Sequence, residues 1–224
     1  MTNCKAPLSC DGLIFDMDGT LWDAVDSYVK IWNATIAECG IHRAPVTRDE
    51  LIAQMGKPLD VILPALIPGA EGHKPGLLEI LMRNEAEMMP RLGGKLYPDV
   101  RGTLERLHGR IPLFMVSNCG AEGLENFLTF TGLRHFFIAW LSNGATGQPK
   151  DANIRTLVER YNMDSPYYVG DTATDEKAAR SAGTGMIWCR YGFGHAENPD
   201  YVIDSFARLT SVPPVANRLS DKEL

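Results

Sequence analysis

Residues 11–23 read Asp-Gly-Leu-Ile-Phe-Asp-Met-Asp-Gly-Thr-Leu-Trp-Asp, and they decide how the rest of the chain is interpreted. The apolar run at 13–15 has no helical period, which predicts a strand buried on both faces. Asp16 and Asp18 follow, and strand alternation would place both carboxylates on one side. Two anions this close repel each other unless a cation lies between them. A hard divalent cation such as Mg²⁺ would satisfy them. A polar strand end with solvated charges fits this stretch alone equally well.

The composition describes an ordinary globular chain. Its 224 residues suffice for one large domain or two modest ones. A net charge of -6 argues against a nucleic-acid or anionic-membrane partner. The five cysteines are scattered and contain no Cys-x-x-Cys pair, so neither a disulfide framework nor a zinc site is predicted. With no signal peptide and no membrane-spanning run recognisable, the expected location is the cytoplasm.

Helical periodicity begins after Asp23 and continues to about residue 90. Apolar residues recur at three- and four-residue intervals over 25–39, as an amphipathic helix requires. Thr47 and Glu50 form a capping-box signature that predicts a second, short helix. Further helices are predicted at 60–66, although Pro64 falls inside that pattern, and at 77–89. Residues 68–76 and 90–98 are predicted to be a loop and a connector.

The rest of the chain alternates between strands and helices. Strands are predicted at 111–116, 136–141, 167–169, 186–189 and 201–203, separated by helices at 100–107, 122–131, 151–161 and 174–182. This order is typical of a parallel sheet covered by helices on both faces. The predicted fold is therefore α/β, with a doubly wound, Rossmann-like core of residues 1–22 and 92–224. An all-helical cap domain, residues 23–91, interrupts it.

Polar side chains follow several of the predicted strands. In a parallel sheet, ligands bind at the carboxyl ends of the strands, so these scattered side chains would meet in one place. The set comprises Asp16, Asp18, Ser117, Asn118, Lys150, Asp171 and Asp175.

This set matches the needs of phosphoryl transfer. A carboxylate can attack phosphorus and form an aspartyl-phosphate, which splits one difficult displacement into two steps. A metal ion and a lysine can neutralise charge on the transferring oxygens. A second carboxylate can protonate the leaving alkoxide and then activate water. Gly19 would allow a sharp turn and close approach of the backbone to a ligand.

The motifs resemble, in order, the four motifs of the haloacid dehalogenase superfamily. They are Asp16-Met-Asp-Gly-Thr20, Ser117-Asn118, Lys150, and Gly170-Asp171 with Asp175. The helical insert resembles the type I cap of that superfamily. The Tyr-Pro-Asp-Val segment at 97–100 and the Tyr-Gly-Phe-Gly segment at 191–194 are similar to its phosphoglycolate phosphatase-like branch.

The resemblance implies a role for each residue. Asp16 would be the nucleophile and a metal ligand, and Asp18 the general acid and base and a ligand through its backbone carbonyl. Asp171 would bind Mg²⁺ directly, and Asp175 would support the metal shell. Phosphate oxygens would be held by Gly19, Thr20, Ser117, Asn118 and Lys150. The implied activity is Mg²⁺-dependent hydrolysis of small phosphorylated metabolites.

Other activities share this core and cap. A sugar phosphomutase of the beta-phosphoglucomutase type is the main alternative, although Thr20 after the glycine favours a phosphatase. Asp18 argues against a dehalogenase, and the presence of both Asp16 and Asp18 argues against a non-catalytic binding module. Lys57 in the predicted specificity loop at 54–59 is a candidate contact for a second anionic group of the substrate. Neither the substrate nor the oligomeric state follows from the sequence.

Overall fold

The strand predicted after residue 11 lies in the middle of a six-stranded sheet. The computed structural model describes residues 9–69 and 76–220. The strands of this sheet are β1 (Gly12–Phe15), β4 (Leu113–Ser117), β5 (Ala139–Ser142), β6 (Pro166–Gly170), β7 (Gly185–Cys189) and β8 (Tyr201–Ile203). Their order across the sheet is β5-β4-β1-β6-β7-β8, and all neighbouring pairs are parallel, so β1 lies between β4 and β6.

Successive residues of β1 belong to two different cores. Ile14 packs with Phe114 and Tyr168 on one face, whereas Leu13 and Phe15 belong to a larger cluster on the other. Every side chain of β1 is buried, which explains the uninterrupted apolar run. Helices cover both faces, as the alternation of elements predicts, so the predicted α/β fold class is confirmed.

The helical segment between β1 and β4 begins and ends at a small second sheet. There β2 (Trp22–Asp23) pairs antiparallel with β3 (Lys95–Leu96). The helices of the described chain are α1 (Val25–Glu38), α2 (Arg48–Ile52), α3 (Leu59–Leu66), α4 (Leu77–Leu92), α5 (Val100–Leu107), α6 (Gly123–Thr131), α7 (Asn143–Thr146), α8 (Lys150–Arg160), α9 (Ala173–Ala182) and α10 (Pro213–Ser220). Of these, α1 and α4 belong to the helical segment and pack against each other.

Most predicted helices are found close to their predicted bounds. The Thr47–Glu50 capping box forms with both of its hydrogen bonds, and α3 accommodates Pro64. The predicted connector 90–98 is partly wrong, because α4 continues through Pro90 to Leu92 and Lys95–Leu96 is a strand. The predicted loop 68–76 lies largely outside the described residues.

The third core strand begins later than predicted. A 3₁₀ turn at Arg134–Phe136 precedes β5, which starts only at Ala139. Phe136 ends this turn and Phe137 follows it, and both side chains are buried although neither lies in a strand. Hydrophobicity alone therefore misplaces the start of the strand.

Three further elements were not predicted from the sequence: α7, the 3₁₀ helix Phe206–Ser211 and α10.

Candidate active site

Asp16 directly follows β1 and forms the centre of the site. It is 3% exposed, and its backbone N–H donates to Val169 in β6, so the sheet fixes its position. Lys150 Nζ lies 2.9 Å from Asp16 Oδ1 and 2.6 Å from Asp175 Oδ1. The same ammonium lies 5.6 Å from the ring centroid of Tyr168. Lys150 therefore bridges two strand ends from the first turn of α8.

The charges in this cluster shift one another's ionisation. Burial raises the pKa of Asp16 to about 6, and the charge of Lys150 opposes that shift. Burial alone would lower the pKa of Lys150, but Asp16 and Asp175 raise it well above its usual value. A charged lysine is therefore built into the site.

Three buried carboxylates, those of Asp16, Asp171 and Asp175, could hold a metal ion. One oxygen from each lies within 4.8 Å of the other two. Asp171 Oδ2 accepts a hydrogen bond of 2.7 Å from the backbone N–H of Phe193, whereas Oδ1 is buried and has no partner among the described residues. Burial raises the pKa of Asp171 well above its usual value, with the charges of Asp175 and Asp16 adding to the effect. Such a set of crowded oxygens, one of them unpartnered, fits a hard divalent cation.

Asp175 is held by hydrogen bonds on both of its carboxylate oxygens. Oδ1 accepts from Lys150, and Oδ2 accepts from the backbone N–H groups of Asp171 and Thr172 and from the Thr172 hydroxyl. Thr172 and Asp175 thereby form a capping box at the start of α9. Asp175 thus shapes the loop that carries Asp171, and the spacing Thr-x-x-Asp was the sequence signal for this arrangement.

Two glycines allow Asp171 to lie this close to the first motif. Gly19 has φ of 83°, and a Cβ there would lie 2.1 Å from Asp171 Oδ2. A Cβ at Gly192 would lie 2.3 Å from the Cβ of Asp171 and 2.5 Å from the carbonyl oxygen of Gly19. A side chain at either position would push the Asp171 carboxylate out of the cluster.

The Asp18 carboxylate is not part of the three-carboxylate cluster and is held by two aromatic residues. Trp22 Nε1 donates a hydrogen bond of 2.9 Å to Oδ1, and the Tyr28 hydroxyl donates one of 3.4 Å to Oδ2. Burial raises the pKa of Asp18 well above its usual value, and the charges of Asp16 and Glu85 add to this effect. A carboxyl group that keeps its proton to higher pH than usual is suited to donate it.

Trp22 and Tyr28 were not identified as site residues from the sequence. Trp22 packs edge-on against Phe127. Its indole N–H gives it a second role that hydrophobic pattern cannot reveal.

Ser117 ends β4, and Asn118 follows it beside the helical segment. The Ser117 hydroxyl accepts from the backbone N–H of Cys119 at 3.3 Å. Asn118 Nδ2 donates a hydrogen bond of 2.9 Å to the carbonyl of Gly56, whereas its Oδ1 is buried and finds no partner in the described part of the chain.

A cavity between the sheet edge and the helical segment contains most of the predicted site residues. Asp16, Asp18, Ser117, Asn118 and Lys150 line its floor, with Lys57 on the opposite wall. The remaining lining residues come mainly from the helical segment: Tyr28, Trp32, Leu51, Met55, Gly56, Leu59, Ile62, Leu81, Glu85, Cys119 and Gly120.

Four predicted site residues lie behind this cavity. Among the described residues, Gly19, Thr20, Asp171 and Asp175 are absent from its lining. Thr20 is fully buried, and its carbonyl accepts a hydrogen bond from the Tyr191 hydroxyl. The structure therefore brings Asp16, Asp171 and Asp175 together, whereas Thr20 lies buried in the turn after Asp18.

Lys57 reaches the cavity but is engaged by its own turn. Its Nζ donates to the carbonyl of Ala53 and to Oε1 of Gln54, each at 3.0 Å. Two of its three donors are thus used, and its predicted contact with a substrate remains a prediction.

Comparison with known proteins identifies the family. The model of the haloacid dehalogenase-like hydrolases matches residues 13–189, which include all four motifs from Asp16 to Asp175. The chain belongs to this family, and the resemblance found from the sequence is confirmed.

Two relatives with sequences covering nearly the whole chain carry the name phosphoglycolate phosphatase. The protein of Aliivibrio fischeri is 28% identical over 91% of this chain and 96% of its own length. That of Haemophilus influenzae is 26% identical over 88% and 96%, respectively. The crystal structure of a predicted phosphoglycolate phosphatase from Haemophilus somnus superposes with a TM-score of 0.79 at 22% identity, covering 92% of this chain and 99% of that one. The last comparison supports the fold alone.

Across residues 9–69 and 76–220, every helix is too short or too polar to cross a bilayer.

Proposed function

We propose that this protein is a Mg²⁺-dependent phosphatase of small phosphate monoesters that forms an aspartyl-phosphate on Asp16. The observation that carries the proposal is the Asp16 carboxylate on the cavity floor, buried and bonded to Lys150 at 2.9 Å. Membership of the hydrolase family and the phosphatase names of the relatives support the reaction class.

The residues of the site act in two successive displacements at phosphorus. An Asp16 oxygen bonds to phosphorus as the ester P–O bond breaks, and Asp18 gives its proton to the leaving oxygen. Asp18 then takes a proton from the water that attacks phosphorus, which releases inorganic phosphate and restores the Asp16 carboxylate. Lys150 neutralises charge on Asp16 and the transferring oxygens, while Ser117 and Asn118 hold the phosphate.

The metal ion would be held by the carboxylates of Asp16 and Asp171 and by the backbone carbonyl of Asp18. Asp175 would act indirectly, by positioning the residues around the metal, because both of its carboxylate oxygens already accept hydrogen bonds. When bound, the cation stabilises negative charge on the phosphoryl oxygens.

The helical segment would act as a cap over this site. We assign residues 23–91 to the cap and residues 1–22 and 92–224 to the core. Tyr28, Trp32 and Leu81 line the cavity from the helices of the cap, where they can exclude water from the reacting atoms.

We place the protein in the cytoplasm, because Cys10, Cys39, Cys119 and Cys189 are all free thiols. Cys4 lies outside the described residues.

The sugar phosphomutase alternative is not favoured by the relatives, whose names are those of phosphatases. It makes a separate prediction, the interconversion of glucose 1-phosphate and glucose 6-phosphate without net release of phosphate.

The test is phosphate release from p-nitrophenyl phosphate with Mg²⁺ and with EDTA, using wild type and Asp16→Asn. Asp49→Asn is the matched control, because Asp49 is exposed on α2 and outside the cavity. We expect turnover that requires the metal, disappears in Asp16→Asn and persists in Asp49→Asn. Turnover that survives in Asp16→Asn would refute the assigned nucleophile, and its absence in wild type would refute the proposed activity.

A further inference from the structure

Glu85 is a carboxylate in an otherwise apolar wall of the cavity. It lies on α4, four residues after Leu81, and both side chains line the cavity above Asp16. The surrounding wall consists of apolar and aromatic side chains from α1 to α3 and the following turns: Tyr28, Trp32, Leu51, Met55, Leu59 and Ile62.

The Glu85 carboxylate has no partner within the described residues. It accepts no hydrogen bond and forms no ion pair there, although burial raises its pKa to about 7 with no neighbouring cation opposing the shift. Glu38 on the adjacent helix α1 behaves differently, because it is exposed and bonded to Arg83. The side chain is only partly exposed where it lines the cavity, and a carboxylate in such a desolvated position is normally satisfied by a donor. The side chain therefore has an acceptor available for something that enters the cavity.

The cations of the cavity do not compensate Glu85. Lys150 is shared between Asp16 and Asp175, and Lys57 donates to Ala53 and Gln54 in its own turn. Within the described residues no cation is among the causes of the pKa shift of Glu85, so a substrate whose second carboxylate lies beside Glu85 would bring two anions together there. Like charges held close in a partly desolvated site repel each other strongly.

We propose that Glu85 recognises the leaving group, and that the site selects phosphate esters whose alcohol has an apolar stem and a hydrogen-bond donor at its far end. Hydroxyl and ammonium groups are both donors of this kind. Esters with a second carboxylate, phosphoglycolate included, are disfavoured. This inference rests on the phosphatase activity proposed above and specifies its substrate class.

The test compares three series of esters of matched length: ω-aminoalkyl, ω-hydroxyalkyl and ω-carboxyalkyl phosphates, with phosphoglycolate as the shortest carboxylate. In wild type we expect kcat/KM for the amino and hydroxy esters to exceed that of the carboxy esters by about tenfold or more. In Glu85→Gln the ratio of amino to carboxy ester should fall by about tenfold, because the side chain keeps its shape and loses its charge.

Glu87→Gln is the matched control. Glu87 lies on the same helix, is exposed and does not line the cavity, so its substitution removes the same charge without changing the ratio. If wild type prefers the carboxy esters, or if Glu85→Gln and Glu87→Gln shift the ratio equally, the proposal is overturned while Asp16-dependent phosphatase activity stands.

Binding provides a readout that does not need turnover. The dissociation constants of the three series are measured by calorimetry for Asp16→Asn with and without Glu85→Gln. Tighter binding of the amino ester that is lost with Glu85→Gln supports the proposal. Equal affinity for the amino and carboxy esters in Asp16→Asn refutes it, whether or not wild type releases phosphate.

Discussion

Asn118 at the end of β4 donates its side-chain amide to the carbonyl of Gly56, which lies in the turn after α2. Gly56 itself packs against Thr172, since a Cβ there would lie 2.9 Å from the threonine hydroxyl. One short turn of the helical segment therefore touches two of the strand-end loops that build the site. We expect the position of the helical segment and that of the loop after β4 to be coupled through this contact.

Replacing Asn118 with alanine tests that coupling. Removing this hydrogen bond should cost about 1 kcal/mol of stability and loosen the turn at 54–59. We expect faster amide hydrogen exchange in that turn, measured by mass spectrometry, together with lower kcat/KM. Asn143→Ala, which removes a bond to Gln148 within the core, is the control and should leave exchange at 54–59 unchanged.

Trp22→Phe keeps an aromatic ring against Phe127 but removes the indole N–H that holds Asp18. The loss should slow hydrolysis of alkyl phosphates by about tenfold, because their leaving oxygen needs a well-placed proton donor. p-Nitrophenyl phosphate should be less affected, since p-nitrophenolate leaves without protonation. Equal slowing of both substrates would assign Trp22 a packing role alone.

Lys150→Met should leave two buried carboxylates without their shared cation. In EDTA at pH 8, we expect the free energy of unfolding to fall by about 3–5 kcal/mol, measured by urea denaturation. Adding Asp16→Asn should restore part of that loss, because it removes one of the stranded charges. Lys177→Met is the control, because Lys177 is exposed on α9, and should change stability by no more than about 0.5 kcal/mol. A loss of similar size in the control would contradict the predicted role of burial.

The stability of the metal-free protein should fall as the pH rises from about 4 to about 7. Burial raises the pKa of Asp16 to about 6 and that of Glu85 to about 7, so the folded state holds protons that the unfolded state has lost. Stability is therefore fully present below the ordinary carboxylate pKa and declines above it. Bound Mg²⁺ would replace those protons on the clustered carboxylates.

The measurement is the melting temperature in EDTA and in Mg²⁺ between pH 5 and pH 8. We expect Mg²⁺ to raise Tm more at pH 8 than at pH 5, because fewer protons then compete for Asp16 and Asp171. An equal rise at both pH values would show that the metal does not bind at these carboxylates.

The sheet and the identity of the floor residues could be predicted because their signals are local. The apolar run of β1 ends at Asp16, and the topology of a parallel sheet then brings the other strand ends to the same edge. Contacts such as Asn118 to Gly56 could not be predicted, because they join residues distant in sequence through groups common in any loop.

The buried face of α4 could be predicted only in part. The spacing of Leu78, Leu81, Met82 and Glu85 predicts one shared face, yet Leu78 and Met82 are 44% and 45% exposed. Leu81 is buried, and Glu85, a glutamate within that pattern, lines the cavity. Helical periodicity marks which residues share a face, but it cannot distinguish a packed core from the wall of a cavity.

The pairing of Trp22–Asp23 with Lys95–Leu96 brings the two passages between the core and the helical segment side by side. Outgoing and returning chain thus meet at adjacent backbone positions, and β1 and β4 pair with each other without contributions from what lies between. Both covalent connections between the segment and the core therefore lie at one place. We expect that a helical insert of another length or sequence could be grafted there without altering the register of any core strand, provided that it keeps the contacts of Tyr28 with Asp18 and of Gly56 with Asn118. The choice of leaving group can then change in evolution through the rest of the insert, while the core strands and their carboxylates stay as they are.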